Sequence, residues 1–161
     1  MINKQTDIML QPKKVSESKA KLIDLVLPSD TNHYGTIFGG KVMAYADKIA
    51  AIAAMRHCRQ PVVTVRSESF EFHAPIKAGE AICVEASVIC AHRTSMEVLV
   101  QIQSENLITG EKNLTSNAFL TFIAIDDHGK PSPVPPVIPE TDEEIEHFQQ
   151  AMKRYNARKN K

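Results

Sequence analysis

The sequence predicts an α+β fold in which a curved antiparallel sheet wraps around one long helix. The first observation behind this prediction is the segment from Val42 to Met55, whose only charged residues are Asp47 and Lys48 and which indicates a helix buried on most sides. The second is that four strand-like segments follow this helix without another helix between them. Because the strands come as a run, the pattern favours an antiparallel sheet packed on a single helix.

A short strand and a dense loop precede the helix. The strand is largely apolar, runs from Leu22 to Leu27 and ends at Pro28, which cannot continue a ladder. The loop that follows combines turn-forming residues with the pair Gly39 and Gly40, just before the helix. A stretch that joins turn residues, a glycine pair and a helix start, and then a carboxylate, is typical of a functional site.

The four strands are rich in β-branched and aromatic residues, and short turns separate three of them. They are predicted at Val62 to Phe72, Ala81 to Cys90, Met96 to Gln103 and Leu114 to Ile125. Alternation places apolar sets on one face of the second strand (Ile82, Val84, Ala86, Val88, Cys90) and of the third (Met96, Val98, Val100, Ile102). In the first strand the apolar positions change parity, which predicts a bulge near Ser67 to Ser69.

The chain is predicted to divide into four parts. Residues 1–20 are expected to be a flexible arm, residues 21–127 the folded domain, residues 128–140 a proline-rich connector that leaves the sheet, and residues 141–161 an amphipathic helix. Thr141 and Glu144 have capping-box spacing at the start of that helix. Its basic end, Lys153 to Lys161, is predicted to be solvated and favoured by the helix dipole.

Composition argues against several classes of function. The 19 basic and 19 acidic residues give a net charge of zero, so neither a nucleic-acid nor a membrane partner is expected. The N-terminal segment lacks a signal-peptide core, and no apolar run is long enough to span a membrane, so a cytoplasmic location is expected. The three cysteines and six histidines lack the spacing of a disulfide framework or of a metal site, so no metal is predicted.

Three short motifs occur together around the start of the helix: Asp30-Thr31-Asn32, Ile37-Phe38-Gly39-Gly40 and Ala46-Asp47. In combination they resemble the hot-dog-fold acyl-CoA thioesterases, in particular the short bacterial acyl-CoA hydrolases and the mammalian cytosolic acyl-CoA thioesterases. The likeness covers Lys21 to Asp127.

The resemblance implies the hot-dog fold and the hydrolysis of acyl-CoA to free acid and coenzyme A. It also implies catalysis at a homodimer interface and assembly of three dimers into a hexamer. No cofactor is implied, because coenzyme A enters as part of the substrate. Ala46 and the pair His33-Tyr34 depart from the usual pattern, so no acyl-chain preference is carried over.

Asp47 is the candidate general base, and it matches the family's functional aspartate. Met43, Ala50 and Ala54 lie one or two helical turns away, so the carboxylate is expected on a small apolar face, where loss of solvent would strengthen it as a base. Direct attack to form an anhydride needs the same placement, so the nucleophile role stays open. The structural alternative is a buried aspartate that pairs with Lys48 or another cation.

Asn32 and the glycine pair are the other candidate catalytic residues. Asn32 matches the family's functional asparagine and would orient the attacking water or the thioester through its amide, or else it only bonds its own turn. The resemblance assigns the amides of Gly39 and Gly40 to the thioester carbonyl, and N–H groups at a helix start do attract a developing oxyanion. The alternative role of the glycines is a tight entry into the helix.

The spacing of these residues requires a second subunit. Gly40 and Asp47 are seven residues apart, which is about 10 Å along a helix and too far for both to contact one thioester carbon. If two copies of the helix lie antiparallel across a two-fold axis, Asp47 of one approaches the helix start and Asn32 of the other. The open edge of a single sheet favours the same homodimer.

Cationic and hydroxyl side chains are candidates for holding the phosphates and the adenine of coenzyme A. One group lies in a turn between strands and the other elsewhere in the strand region: Arg93, Thr94 and Ser95, and Thr64, Arg66 and Lys77. The alternative for each is an ordinary solvated surface residue. Two other functions remain open, a non-catalytic acyl-CoA sensor and an acyl-CoA hydratase, for which His33 is the histidine nearest to the motifs.

Overall fold

The computed structural model describes residues 10–161 and shows the predicted α+β architecture, with one antiparallel sheet wrapped around a long helix. In chain order the elements are β1 (Lys13–Lys14), α1 (Val15–Ser18), β2 (Ala20–Leu25), α2 (Gly39–Cys58), β3 (Val62–Phe72), β4 (Ala81–Ala91), β5 (Ser95–Glu105), β6 (Lys112–Ala124), β7 (Val137–Ile138) and α3 (Asp142–Lys159). A 3₁₀ turn at Pro28–Asp30 lies between β2 and α2. The four main strands and both long helices therefore lie where the sequence predicted them.

The main sheet has the strand order β2-β4-β5-β6-β3, and every neighbouring pair is antiparallel. Inward-facing residues meet across it, with Val84 opposite Ile102 and Ala86 opposite Val100, as the alternation predicted. Cys90 is an exception, because the register shifts between Val88 and Cys90. The shift moves Cys90 to the outer face of the sheet, where it packs with α3, so its predicted place on the inner face is wrong.

Helix α2 buries one side against the inner face of the sheet and leaves the other side open. The buried side consists of small and β-branched residues that allow close packing: Val42, Ala46, Ile49, Ala50, Ala53 and Ala54. On the open side Met43, Ile52 and Met55 remain 46%, 39% and 41% exposed. The prediction that the helix is buried on most sides is therefore wrong for the single chain.

Strand β3 forms an edge of the sheet and is irregular in two places. Its pairing with β6 shifts between Thr64 and Arg66 and again between Glu68 and Glu71. The second shift overlaps the bulge that the sequence predicted, while the first was not predicted. Each irregularity changes which residues face α2, and this determines the position of a candidate catalytic contact described below.

The segments before and after the domain predicted at residues 21–127 also belong to the folded unit. Residues 1–9 of the predicted flexible arm lie outside the described residues, but β1 and α1 follow them and Val15 is buried. Strand β1 pairs in parallel with β7 in the proline-rich segment, and Val134 and Val137 join the core instead of leaving the sheet. His57, at the end of α2, is fully buried and its Nε2 lies 2.7 Å from the carbonyl oxygen of Pro135.

Helix α3 covers part of the outer face of the sheet. It begins with the predicted capping box of Thr141 and Glu144, and its Ala151 is fully buried against β4 and β5. The prediction that the basic end of this helix is solvated is wrong for two residues, because Arg154 pairs with Glu97 at 2.7 Å and Arg158 pairs with Glu68 at 3.2 Å. Among the described residues, no helix is long and apolar enough to cross a membrane.

Candidate active site

Asp47 projects from the open side of α2 toward the edge strand β3. The Thr64 hydroxyl donates a hydrogen bond of 2.8 Å to Asp47 Oδ1. Asp47 is exposed in the single chain, whereas Ala50 and Ala54 are fully buried, so the expected apolar surroundings are not those of the isolated subunit. Within residues 10–161 the partner of this carboxylate is a hydroxyl, and the alternative of a pairing with Lys48 or another cation is wrong.

Asn32 organises the loop in which it lies. Its side-chain oxygen accepts from the backbone N–H of Tyr34 at 2.9 Å, and its amide donates to the Thr36 hydroxyl at 3.0 Å. Its backbone N–H and carbonyl oxygen also bond within the loop, to Thr36 and Gly35. The structural role weighed for Asn32 is therefore present in the single chain, and one amide hydrogen beyond the Thr36 bond is available to a ligand.

Asp30 fixes this loop against the start of α2. Its side chain accepts from the N–H of Leu27 at 3.1 Å, and its other oxygen lies 3.4 Å from Lys41 Nζ in the first turn of the helix. Its backbone carbonyl accepts from the N–H of Phe38. Asp30, which sequence analysis treated only as part of a motif, holds the Asn32 loop at a fixed place beside the glycine pair.

Gly39 and Gly40 are the first two residues of α2, as predicted. Phe38 occupies the N-cap, and in the part of the chain that the structure describes no side chain caps this end, so the first amides of the helix point outward for another acceptor. A Cβ on Gly39 would lie 3.3 Å from Cζ of Phe72, so any other residue here would require the ring to shift by a few tenths of an ångström. A Cβ on Gly40 would meet nothing within 4 Å, so its surface is open to an approaching molecule.

A cavity of about 390 Å³ opens beside the helix start. Its walls combine apolar and polar side chains from the Asn32 loop, α2, the end of β3 and the segment after it, and β6. The lining residues are Thr36, Ile37, Gly39, Val42, Phe72, His73, Ala74, Pro75, Ile76, Thr115 and Ser116. This volume lies in the usual range for small-molecule sites. The open helix amides therefore lie beside a space large enough for a small organic group.

The open side of α2 and the edge strand β3 together expose apolar side chains. Met43, Ile52 and Met55 on the helix and Phe72 on the strand are 39% to 52% exposed. A patch of this kind on an unpaired strand marks a surface suited to another protein surface. Asp47 lies within it.

The six residues predicted to bind coenzyme A do not form one group. Arg66 and Ser95 line the same cleft on the outer face, and Arg93 and Thr94 lie in the neighbouring turn between β4 and β5. Lys77 follows the other end of β3, where it bridges to Thr36 of the Asn32 loop. Thr64 faces inward to Asp47, a contact that sequence reasoning missed because the bulge after Thr64 was not predicted.

Cys58 and Cys90 are poor nucleophiles in this fold. Burial raises the pKa of the Cys58 thiol, and burial with the nearby Glu97 raises the pKa of Cys90 to about 11. Both thiols are therefore protonated near neutral pH, and neither competes with Asp47 as a candidate for the chemistry.

Comparison with known proteins gives consistent matches. A sequence model of the thioesterase superfamily matches residues 34–111. The acyl-CoA thioester hydrolase YkhA of Bacillus subtilis, itself described as uncharacterized, is 48% identical over 90% of this chain and 84% of its own length. Among solved structures, an apo-hexameric acyl-CoA thioesterase superposes with a TM-score of 0.90 at 48% identity, covering 93% of this chain and 96% of the other.

An acyl-CoA hydrolase from Staphylococcus aureus is a further structural match. Its structure with butyryl coenzyme A, coenzyme A and coenzyme A disulfide has a TM-score of 0.86 at 43% identity and covers 92% of both chains. The same enzyme has been crystallised as three alanine variants, in which an asparagine, an aspartate and a threonine are replaced.

Proposed function

We propose that this chain, which belongs to the thioesterase superfamily, has the hot-dog fold and is an acyl-CoA thioester hydrolase, carries out the hydrolysis at two equal sites shared between the subunits of a homodimer. Water and the thioester react to give a free carboxylic acid and the thiol of coenzyme A. The observation that carries the proposal is the position of Asp47, held by Thr64 in the middle of an open apolar patch.

The dimer follows from the distribution of the candidate groups. Gly40 and Asp47 lie on the same helix about 10 Å apart, so one subunit cannot aim both at one carbonyl carbon. The open side of α2 and the edge of β3 are contiguous, and a second copy packed on them across a two-fold axis would cover Met43, Ile52 and Met55. It would also bring the helix start of one subunit to Asp47 of the other and remove that carboxylate from solvent.

Each candidate residue then has a role in the hydrolysis. Asp47 takes a proton from the attacking water as general base, or attacks the thioester itself, and Thr64 fixes the carboxylate orientation. Asn32 orients the water or the substrate with its remaining amide hydrogen, and the amides of Gly39 and Gly40 stabilise the oxyanion. The acyl group occupies the cavity behind Gly39.

The alanine variants of the Staphylococcus aureus enzyme support this set of residues. The asparagine, aspartate and threonine replaced there are separated by 15 and 17 positions, and the same intervals separate Asn32, Asp47 and Thr64. Two chains that share 42% to 43% identity and these intervals can place the three side chains alike. We extend this agreement to a catalytic set in the present chain.

Release of free thiol from acyl-CoA tests the assignment. Asp47→Ala should abolish turnover and leave the dimer intact, whereas turnover at the wild-type rate would remove Asp47 from the mechanism. Asn32→Ala should also lower turnover. Mixing the two variants should raise activity above that of either alone, at the fraction of sites that combine intact Asn32 and intact Asp47. Heterodimers without any recovery would contradict shared sites.

The remaining expectations are part of the same proposal. Arg93, Thr94, Ser95, Arg66 and Lys77 would contact the coenzyme A portion, with no cofactor or metal required. Three dimers would form a hexamer in the cytoplasm, in keeping with the hexameric thioesterase that the chain resembles.

The two other functions considered from the sequence have less support. A hydratase would need a histidine near Asp47, whereas the His33 ring packs at an angle of 40° against Tyr34 in the loop, with 4.0 Å between the ring centroids, and is exposed. An acyl-CoA sensor would bind substrate without releasing thiol, so the same assay separates it from the enzyme.

A further inference from the structure

A cleft between α3 and the outer face of the sheet has the chemistry of an anion site. Its volume is about 300 Å³, and its lining combines three cations and three hydroxyl groups with two aliphatic side chains: Val65, Arg66, Ser95, Thr121, Ile123, Tyr155, Arg158 and Lys159. It lies on the opposite face from Asp47. Thr64 pairs with the buried Phe122 and points inward, whereas Arg66 pairs with the next residue of β6, Thr121, which points outward.

Glu68 holds the two arginines of this cleft beside each other. One of its oxygens lies 3.0 Å from Arg66 Nη1 and the other lies 3.2 Å from Arg158 Nη1. The side chains of Arg158 and Glu68 are only 22% and 29% exposed, so this ion pair is partly shielded from water. One carboxylate balances one guanidinium, and with Lys159 the cleft keeps two unbalanced positive charges in a chain whose net charge is zero.

The other lining groups are fixed and can donate hydrogen bonds. The Tyr155 ring stacks on His92 with 3.5 Å between centroids, and Lys159 Nζ lies 5.6 Å from the Tyr155 ring centre. Ser95 and Thr121 supply hydroxyls from adjoining strands. Guanidinium, ammonium and hydroxyl donors that converge on one cavity are the groups that bind phosphoryl oxygens.

We propose that this cleft binds a phosphate-bearing ligand, and that Arg158 and Lys159 of α3 complete a site which Arg66 and Ser95 begin on the sheet. The phosphoryl groups belong either to the coenzyme A portion of the substrate or to a free nucleotide. Only the first source rests on the proposed function. In both cases α3, which lies outside the residues matched by the superfamily model, becomes a binding element as well as a cover for the sheet.

Calorimetric titration with adenosine 3′,5′-bisphosphate tests the site directly. Lys159→Gln and Arg158→Gln should each weaken binding by about tenfold, because each removes a charge-assisted contact. Lys153→Gln is the matched control, since it removes the same charge from an exposed position of α3 that does not line the cleft. Equal affinity in the wild type and all three variants would overturn the proposal. If Arg158→Gln lowers the melting temperature, the affinity of the Lys159 variant alone decides.

Kinetics with two substrates then identify the source of the phosphate. If the substrate supplies it, Arg158→Gln should raise KM for acyl-CoA about tenfold and leave KM for the corresponding acyl-pantetheine unchanged. Weaker bisphosphate binding with both KM values unchanged would identify a free nucleotide. An equal rise in both KM values would indicate structural damage and count against the site. If the wild type releases no thiol from any acyl-CoA, the proposed function fails while the titration still tests the cleft.

Discussion

The hydrogen bond between Thr64 and Asp47 leads to a quantitative expectation. Thr64→Val replaces the hydroxyl by a methyl group of nearly the same shape, so it removes the 2.8 Å bond and keeps the packing against β6. A hydrogen bond to a charged group is worth about 1.5–3 kcal/mol. Because Asp47 is exposed in the single chain, we take the lower end of that range, and a loss of about 1.5 kcal/mol in the transition state lowers kcat about tenfold.

Steady-state thiol release separates this positioning effect from general damage. Thr64→Val should lower kcat with little change in KM, and Thr64→Ser, which keeps the hydroxyl, should stay close to the wild type. Asp47→Asn should cost about 10²–10⁴ in kcat, and adding Thr64→Val to it should cost nothing more, because the carboxylate that Thr64 orients is already gone. The reasoning fails if Thr64→Val stays within about twofold of the wild type, or if the serine variant is as slow as the valine variant.

Three further expectations concern burial and close contact. Burial lowers the pKa of His57 from its usual 6.5, so the unfolded chain binds a proton that the folded chain does not. The free energy of unfolding should therefore fall as the pH drops below about 6.5. In urea titrations, His57→Gln should flatten this trend. Arg154→Met leaves Glu97, which is 3% exposed, without its partner and should cost about 3 kcal/mol of stability. The double variant with Glu97→Met should recover most of this loss. A double variant no more stable than the single one would contradict the reasoning. Gly39→Ala should lower kcat/KM about tenfold, because the added methyl group shifts Phe72 beside the cavity. The circular dichroism spectrum should stay unchanged. Undiminished activity would show that the close contact is unimportant.

Much of the fold could be predicted because its elements have clear local patterns. The alternation in β4 and β5 determined which residues face α2, and the capping box marked the start of α3. The failures occur where one residue breaks a period. The register shift after Val88 turned Cys90 outward, and the shift after Thr64 placed that hydroxyl on Asp47, and neither shift has a glycine or proline to mark it in the sequence.

The candidate site was predictable in its residues but not in its surroundings. The combination of Asn32, the glycine pair and Asp47 follows from motifs of turn residues and a helix start. Whether Asp47 faces protein or solvent depends on which side of α2 the sheet covers, and a helix rich in alanine gives a weak preference between its sides. The cleft at Arg158 joins parts of the chain that are 90 residues apart at Glu68, and no local pattern predicts a pairing over that distance.

The pairing of β1 with β7 sets a lower limit on how far the chain can be shortened. A variant that stops at Asp127 would lose the strand opposite Lys13, the apolar cover supplied by Val134 and Val137, and the carbonyl that bonds His57. The C-terminal end of α2 would then be exposed to solvent. Any autonomously folding fragment is therefore expected to include at least Lys13 to Ile138.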